Sequence, residues 1–369
     1  MSENSKTRII FLDMMRALAV LMMVQGHTID TFLADQYRDY SSTLFNIWFT
    51  IRGFTAPIFM FTSGVAFTYL LRMNRETFFE NPRVKKGIIR FLTLLVIGYL
   101  LRYPTFTVFD FSVVTHEQWL GFFCVDALHL IGFGILFIMI LTYVAEKIKV
   151  SDYIVFVTAA LFFFSIVNFT EQVNWANYLP IPFAAYLYQG TGSYFPFFPW
   201  AGYVICGGIL GVYLAHNPDA FTSTKFSFRL LIIGLSTLAL AFLIEGIEDI
   251  FYKGKELWTD NFYVIFLRIS AVVLLNSFMS FIALRIKTVP EFVKQVGRHT
   301  LLVYAVHVII LYGSAWVPGL NLIFSRRMDP FASIISAVIM IILMSLMVIY
   351  LEKYKAYKKN KIATADLSA

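Results

Sequence analysis

The chain has 369 residues, of which 59% are hydrophobic and only 14% charged, with a mean hydropathy of +0.71. Soluble domains carry about 25% charge, so a water-soluble globular enzyme is excluded and a polytopic membrane protein is expected. The net charge of +7 does not point to nucleic acid, because the basic residues gather in short stretches between apolar runs, the pattern that sets membrane topology.

Apolar windows of spanning length fall at residues 9–33, 46–71, 87–103, 119–145, 152–169, 199–215, 228–248, 262–284, 299–318 and 331–351. They predict an all-α fold, a membrane helical bundle of about ten transmembrane helices. Lys6 and Arg8 precede the first window. It lacks a small-x-small cleavage site and contains Asp13, Arg16 and His27, so it reads as a retained helix, not a signal peptide. Residues 170–198 are rich in Tyr, Phe and Pro. Pro180, Pro182 and Pro196 oppose a spanning helix, and the segment reads as an interfacial lid over the outer face, with an eleventh, broken span as the alternative.

With the N-terminus inside, 21 of the 30 basic residues fall in inner segments, six in outer segments and three within spans. That bias predicts both termini in the cytoplasm and a multi-pass protein of the inner membrane. Residues 1–351 form one transmembrane domain, and 352–369 a basic cytoplasmic tail. Cys124 and Cys206 lie in apolar surroundings and read as two unpaired thiols, with a buried disulfide as the alternative.

Three acid–base pairs inside spans share one spacing: Asp13/Arg16, His27/Asp30 and Asp126/His129. An i,i+3 step puts both side chains on one helical face. A charged side chain at a helix centre in a bilayer costs roughly 2.5–3.5 kcal/mol, so such residues are functional candidates. At ~1.5 Å per residue His27 lies about 27 Å up the first helix, near the outer interface. Arg52, Asp126, His129, Glu245 and Arg268 fall at similar depth on other helices. Gathered around one hydrated cavity they neutralise each other, which predicts a single polar chamber opening outward.

Within it, His27 has the parts of a general base: an imidazole, a carboxylate one turn on to orient it, and Gly26 to admit a neighbour or substrate. His129 is the second candidate base, or a partner that holds substrate. Asp13/Arg16 lies at the inner end of the first helix, either locking helices together or lining a vestibule for an anionic ligand. His307 has no evident acidic partner and reads as packing. Two readings fit the basic cluster from Arg72 to Arg90, topology control and binding of coenzyme A phosphates; the first explains it more simply. No HExxH, CxxC or His-rich signature is present, so no metal is expected.

With these residues in view, the chain resembles the transmembrane acyltransferases related to heparan-α-glucosaminide N-acetyltransferase, especially short bacterial members. RIIFLDMMRALAVLMMVQGH is similar to the family's first helix, with Ala17 where Gly is usual. FTAPIFMFTSGVAF, VDALHLIGFGIL, YFPFFPWAGYVICGGILG and GRHTLLVYAVHVIILYG resemble later elements in the same order. The resemblance implies acyl transfer across the membrane, from cytoplasmic acetyl-CoA as cosubstrate to a sugar or glycan acceptor on the far side. Asp13 and Arg16 would then sit at the CoA mouth. His27, Asp30, Asp126 and His129 would be catalytic, and Arg52, Glu245, Arg268 and Trp200 would bind substrate. A proton-coupled transporter or exporter is the alternative, since intramembrane Asp, Glu and His also build proton relays. Pro57 in the second helix has no counterpart in a matching half, which disfavours it.

Overall fold

A computed structural model describes residues 9–74, 76–251, 261–286 and 289–366. Lys6, Arg8, Arg75, Lys253, Lys255 and Lys287, which entered the count of basic residues, lie outside the described residues, as does the side chain of Lys361. The described residues are mostly helical and no strand occurs among them, so the class is all-α. The helices are α1 (Ile10–Phe32), α2 (Thr43–Gly53), α3 (Thr55–Arg72), α4 (Pro82–Leu101), α5 (His116–Phe123), α6 (Ala127–Ile148), α7 (Asp152–Ser165) and α8 (Val167–Gln172). They continue as α9 (Ile181–Ala184), α10 (Phe197–His216), α11 (Thr224–Phe251), α12 (Phe262–Arg285), α13 (Glu291–Arg298), α14 (Thr300–Tyr312), α15 (Asn321–Phe324) and α16 (Pro330–Asp366).

Each apolar window of the sequence is mostly helical, 119–145 being broken at residues 124–126 and 299–318 ending its helix at Tyr312. Eight helical stretches among the described residues are long and apolar enough to cross a membrane. Two windows fall short of that standard for different reasons. α4 carries Arg83, Lys85, Lys86 and Arg90 in its N-terminal half. α14 has only 13 residues, about 20 Å of rise against a hydrocarbon core of about 30 Å. Residues 173–196 hold nothing longer than the four-residue α9. They are stitched instead to the start of α6: the backbone N–H groups of Tyr194 and Phe195 both donate to the carbonyl of Val125, each at 3.1 Å.

The chain divides into two compact units, Met1–Thr55 with Ile286–Ala369, and Ala56–Arg285. In the first, α1 is the central helix, packed by α13, α14 and α16. Its C-terminal end is tied to the segment before α16, where Ala34 donates to Met328 at 2.9 Å and Met328 donates to Phe32 at 2.8 Å. Ile29 and Leu33 pack there on Ala337, beside Phe45 and Trp48 of α2.

In the second unit, α10 packs on α6 and α7, α4 on α6, and α11 pairs with α12. α3 and α10 cross backbone to backbone. A Cβ on Gly64 would stand 1.9 Å from the Val204 carbonyl oxygen, and one on Gly207 2.0 Å from that of Phe61. Small residues at such crossings replace the hydrophobic driving force that helices lack in lipid. The α11–α12 pair uses hydroxyls instead: Ser270 donates to the Gly234 carbonyl at 3.0 Å, and Ser277 to that of Ser227 at 2.8 Å. Gly207→Val forces α10 off α3 and should cost about 3 kcal/mol or more. The thermal unfolding of detergent-solubilised protein reads this directly, and an unchanged midpoint would contradict the crossing.

Candidate active site

α1 carries His27 and Asp30 in its last turns, and α2, α14 and the segment after α1 supply their partners. The pairing expected between His27 and Asp30 is not the one formed. Asp30 Oδ2 accepts from Arg52 Nη2 at 2.8 Å, and Oδ1 from Arg38 Nη1 at 3.1 Å. Arg38 also donates to the Asp30 carbonyl and, through Nε, to that of Leu33 at 3.1 Å. A carboxylate gains more from two guanidinium groups than from a neutral imidazole, so both oxygens are committed to arginine. His27 turns instead to α14, where its Nδ1 lies 3.1 Å from His307 Nε2. His307, expected as packing alone, is fully buried and joined to the candidate base.

Gly26 does admit a neighbour: Arg52. Its Cγ passes 3.4 Å from where a Cβ on Gly26 would stand, which brings the guanidinium stem alongside His27. The Arg52 guanidinium lies 5.7 Å from the Trp48 ring centre, and Trp48 Nε1 donates to Gln25 at 3.1 Å. One Nη2–H is spent on Asp30, and the five-donor fork retains others for a ligand.

At the other end of α1, Arg16 Nη2 donates to Thr300 Oγ1 at 3.4 Å, in the first turn of α14. Asp13 lies one turn earlier, its carbonyl 2.6 Å from where a Cβ on Gly297 would stand. Arg298 is exposed just ahead of that turn. Two arginines beside a helix N-terminus suit a polyanion.

The second unit holds the Asp126–His129 pair, formed as the spacing predicts. Asp126 caps α6, accepting from Leu128 N at 2.9 Å and His129 N at 3.2 Å. Its Oδ1 also lies 2.8 Å from His129 Nδ1, and Oδ2 3.6 Å from Arg102 Nε. The His129 ring is wholly buried, and its Nε2 has no hydrogen-bond partner among the described residues. Tyr99 meets the ring edge-on at 4.4 Å, and its hydroxyl lies 3.0 Å from that of Tyr186. Burial, reinforced by the Tyr99 hydroxyl, holds the Tyr186 phenol far above its ordinary range. Burial likewise raises the thiol of Cys124, which donates to the Gly192 carbonyl at 3.1 Å. Cys124 and Cys206 are both free thiols.

Elsewhere in this unit the Arg268 guanidinium stacks over Trp200, 5.0 Å from its ring centre, and Glu245 lies beside Tyr263. The Trp200 Nε1–H is buried without a hydrogen-bond partner among the described residues. Arg72 of the basic cluster is bound to Glu146 and Asp152, which withdraws it from any phosphate. No three His, Cys, Asp or Glu side chains converge as metal ligands among the described residues. The sequence-predicted residues thus fall into separate groups. In the first unit His27, Asp30 and Arg52 lie at one end of α1 and Asp13 and Arg16 at the other; in the second, Asp126 and His129 lie apart from Trp200, Arg268 and Glu245. Sequence reasoning missed Arg38, His307, Tyr99 and Tyr186. For His307 the available signal was its place on a short apolar helix.

Apolar spanning helices with a bonded imidazole pair and guanidinium–carboxylate pairs among them define an integral membrane protein with the makings of an active centre. A sequence model described as heparan-alpha-glucosaminide N-acetyltransferase, catalytic, matches residues 8–245. The chain belongs to that family, and its activity is of the membrane acetyltransferase type. No match is found among curated proteins. The matched stretch includes His27, Asp30, Arg52, Asp126, His129, Trp200 and Glu245, and stops before Arg268 and His307.

Asp126→Ala removes both the α6 cap and the acceptor of the buried His129 N–H, and should cost about 2–4 kcal/mol. Asp126→Asn keeps an accepting oxygen and should cost less than half of that. Unfolding midpoints of the two purified variants decide it, and equal losses would contradict the capping role.

Proposed function

We propose that the protein moves an acetyl group from cytoplasmic acetyl-CoA to a hydroxyl or amine of a sugar or glycan on the far side of the inner membrane, with His27 as the base. The observation that carries this reading is His27 itself, set in an apolar helix with an imidazole and a guanidinium at hand, in a chain of an acetyltransferase family. His27 takes the proton of the acceptor's O–H or N–H as the heteroatom attacks the thioester carbonyl carbon. Arg52, poised by Asp30, stabilises the oxyanion that develops. The carbon–sulfur bond then breaks, and His27 returns the proton to the departing CoA thiolate. In the covalent variant His27 attacks the carbonyl carbon first and hands the acetyl group on.

Arg16, with Asp13 beside it, is assigned the phosphates of CoA, since its guanidinium meets the first turn of α14, and a helix N-terminus favours an anion. Within their own unit Trp200, Arg268 and Glu245 have the chemistry to hold a sugar: an aromatic face suits a pyranose ring, and the orphaned Trp200 Nε1–H is a donor that a sugar hydroxyl satisfies. The bias of 21 basic residues to six supports inward-facing termini. An even count of ten spans follows if α4 and α14 are included. His129, with its carboxylate partner, is the second candidate base.

His27→Ala should abolish transfer with membrane abundance unchanged. Vesicles given labelled acetyl-CoA on the cytoplasmic side provide the assay, with label on an external sugar as the readout. Full activity in the variant would end the assignment of the base, and solute flux independent of acetyl-CoA would favour the proton-coupled transporter.

A further inference from the structure

Two hydrogen bonds give the α1–α14 contact a direction. His307 Nδ1 lies 2.7 Å from the carbonyl oxygen of Val303, one turn earlier on α14, while its Nε2 lies 3.1 Å from His27 Nδ1. A carbonyl oxygen only accepts, so the hydrogen at the first contact belongs to His307 Nδ1. A neutral imidazole has one N–H, which leaves only a lone pair on His307 Nε2. The 3.1 Å contact therefore needs its hydrogen on His27 Nδ1. The lone pair of His27 is then on Nε2.

We infer that His307 is a positioning residue that locks His27 in the Nδ1–H tautomer and so makes Nε2 the basic atom. The inference rests on His27 being the base of the proposed transfer. His307 is suited to hold this orientation. It is fully buried, meets Tyr304 edge-on at 5.8 Å, and meets the His27 ring edge to edge, with centroids 5.3 Å apart and planes inclined by 29°. Asp30 does not take that part, because its two oxygens hold Arg38 and Arg52. A second imidazole orients the base without placing another negative charge in the bundle. When Nε2 receives the acceptor's proton, Nδ1–H keeps donating to His307, so no rearrangement accompanies the step. The proton leaves by the same nitrogen to the thiolate.

Nitrogen-15 NMR of histidine-labelled full-length protein in lipid reads the tautomers without turnover. In the wild type His27 should carry hydrogen on Nδ1 and none on Nε2, and His307 the same. His307→Leu should release His27 into a mixture containing the Nε2–H form, and lower kcat on the order of 10²-fold with KM for both substrates little changed. His307→Gln, whose side-chain oxygen accepts from His27 Nδ1, should recover part of kcat. Hydrogen on His27 Nε2 in the wild type overturns the inference, whether or not the variants fold. So does equal loss in the Leu and Gln variants, or unchanged kcat in His307→Leu. Tautomers as assigned in a protein that transfers no acetyl group would sink the proposed reaction alone, leaving the orienting contact intact.

Discussion

Asp30 has two oxygens, and each holds an arginine. A lone carboxylate among apolar helices is costly, and one guanidinium would only exchange it for a polar pair with an oxygen unsatisfied. With Arg52 from α2 and Arg38 from the loop after α1, the oxygens are satisfied and the C-terminal end of α1 is bound to both neighbours. This arrangement decides what remains for His27. With the carboxylate on its own helix taken by arginine, it pairs with a second imidazole, a partner that adds no further charge.

The same i,i+3 spacing produced opposite outcomes at two places, which marks how far local pattern reaches. Asp126 stands at the mouth of α6, where its oxygens face the free N–H groups of the first turn, so the carboxylate is already aimed at His129. Asp30 stands inside α1 with no such anchor, and cations from outside its helix win. Spacing sees one helix at a time. His307 illustrates the point in reverse: it has no acid near it in sequence, and its partner lies 280 residues away.

The fold was more legible than the site because hydropathy is an average over many residues and tolerates error at any one of them. All ten windows are largely helical, although 46–71 and 119–145 each divide between two helices and 299–318 is helical only to Tyr312. α4 and α14 differ from expectation only in degree, the first by a cluster of cations in its N-terminal half and the second by its length. The Pro-rich stretch from 170 to 198 was read as non-spanning, since proline denies the backbone bonds that a lipid-exposed helix requires, and its middle, 173–196, holds only short helical turns. Its seating on Val125 depends on a particular carbonyl, which composition does not encode.

Family membership supplies the type of reaction, and the side chains supply an account of how it proceeds. Its central claim is that the His27 imidazole is the group that moves the proton. Chemical rescue tests that most directly: His27→Gly, reconstituted in vesicles with acetyl-CoA and an acceptor sugar, is assayed with and without added imidazole. The account predicts an inactive variant in which imidazole restores acetyl transfer in proportion to its concentration. Wild-type transfer by the unsupplemented variant would contradict it.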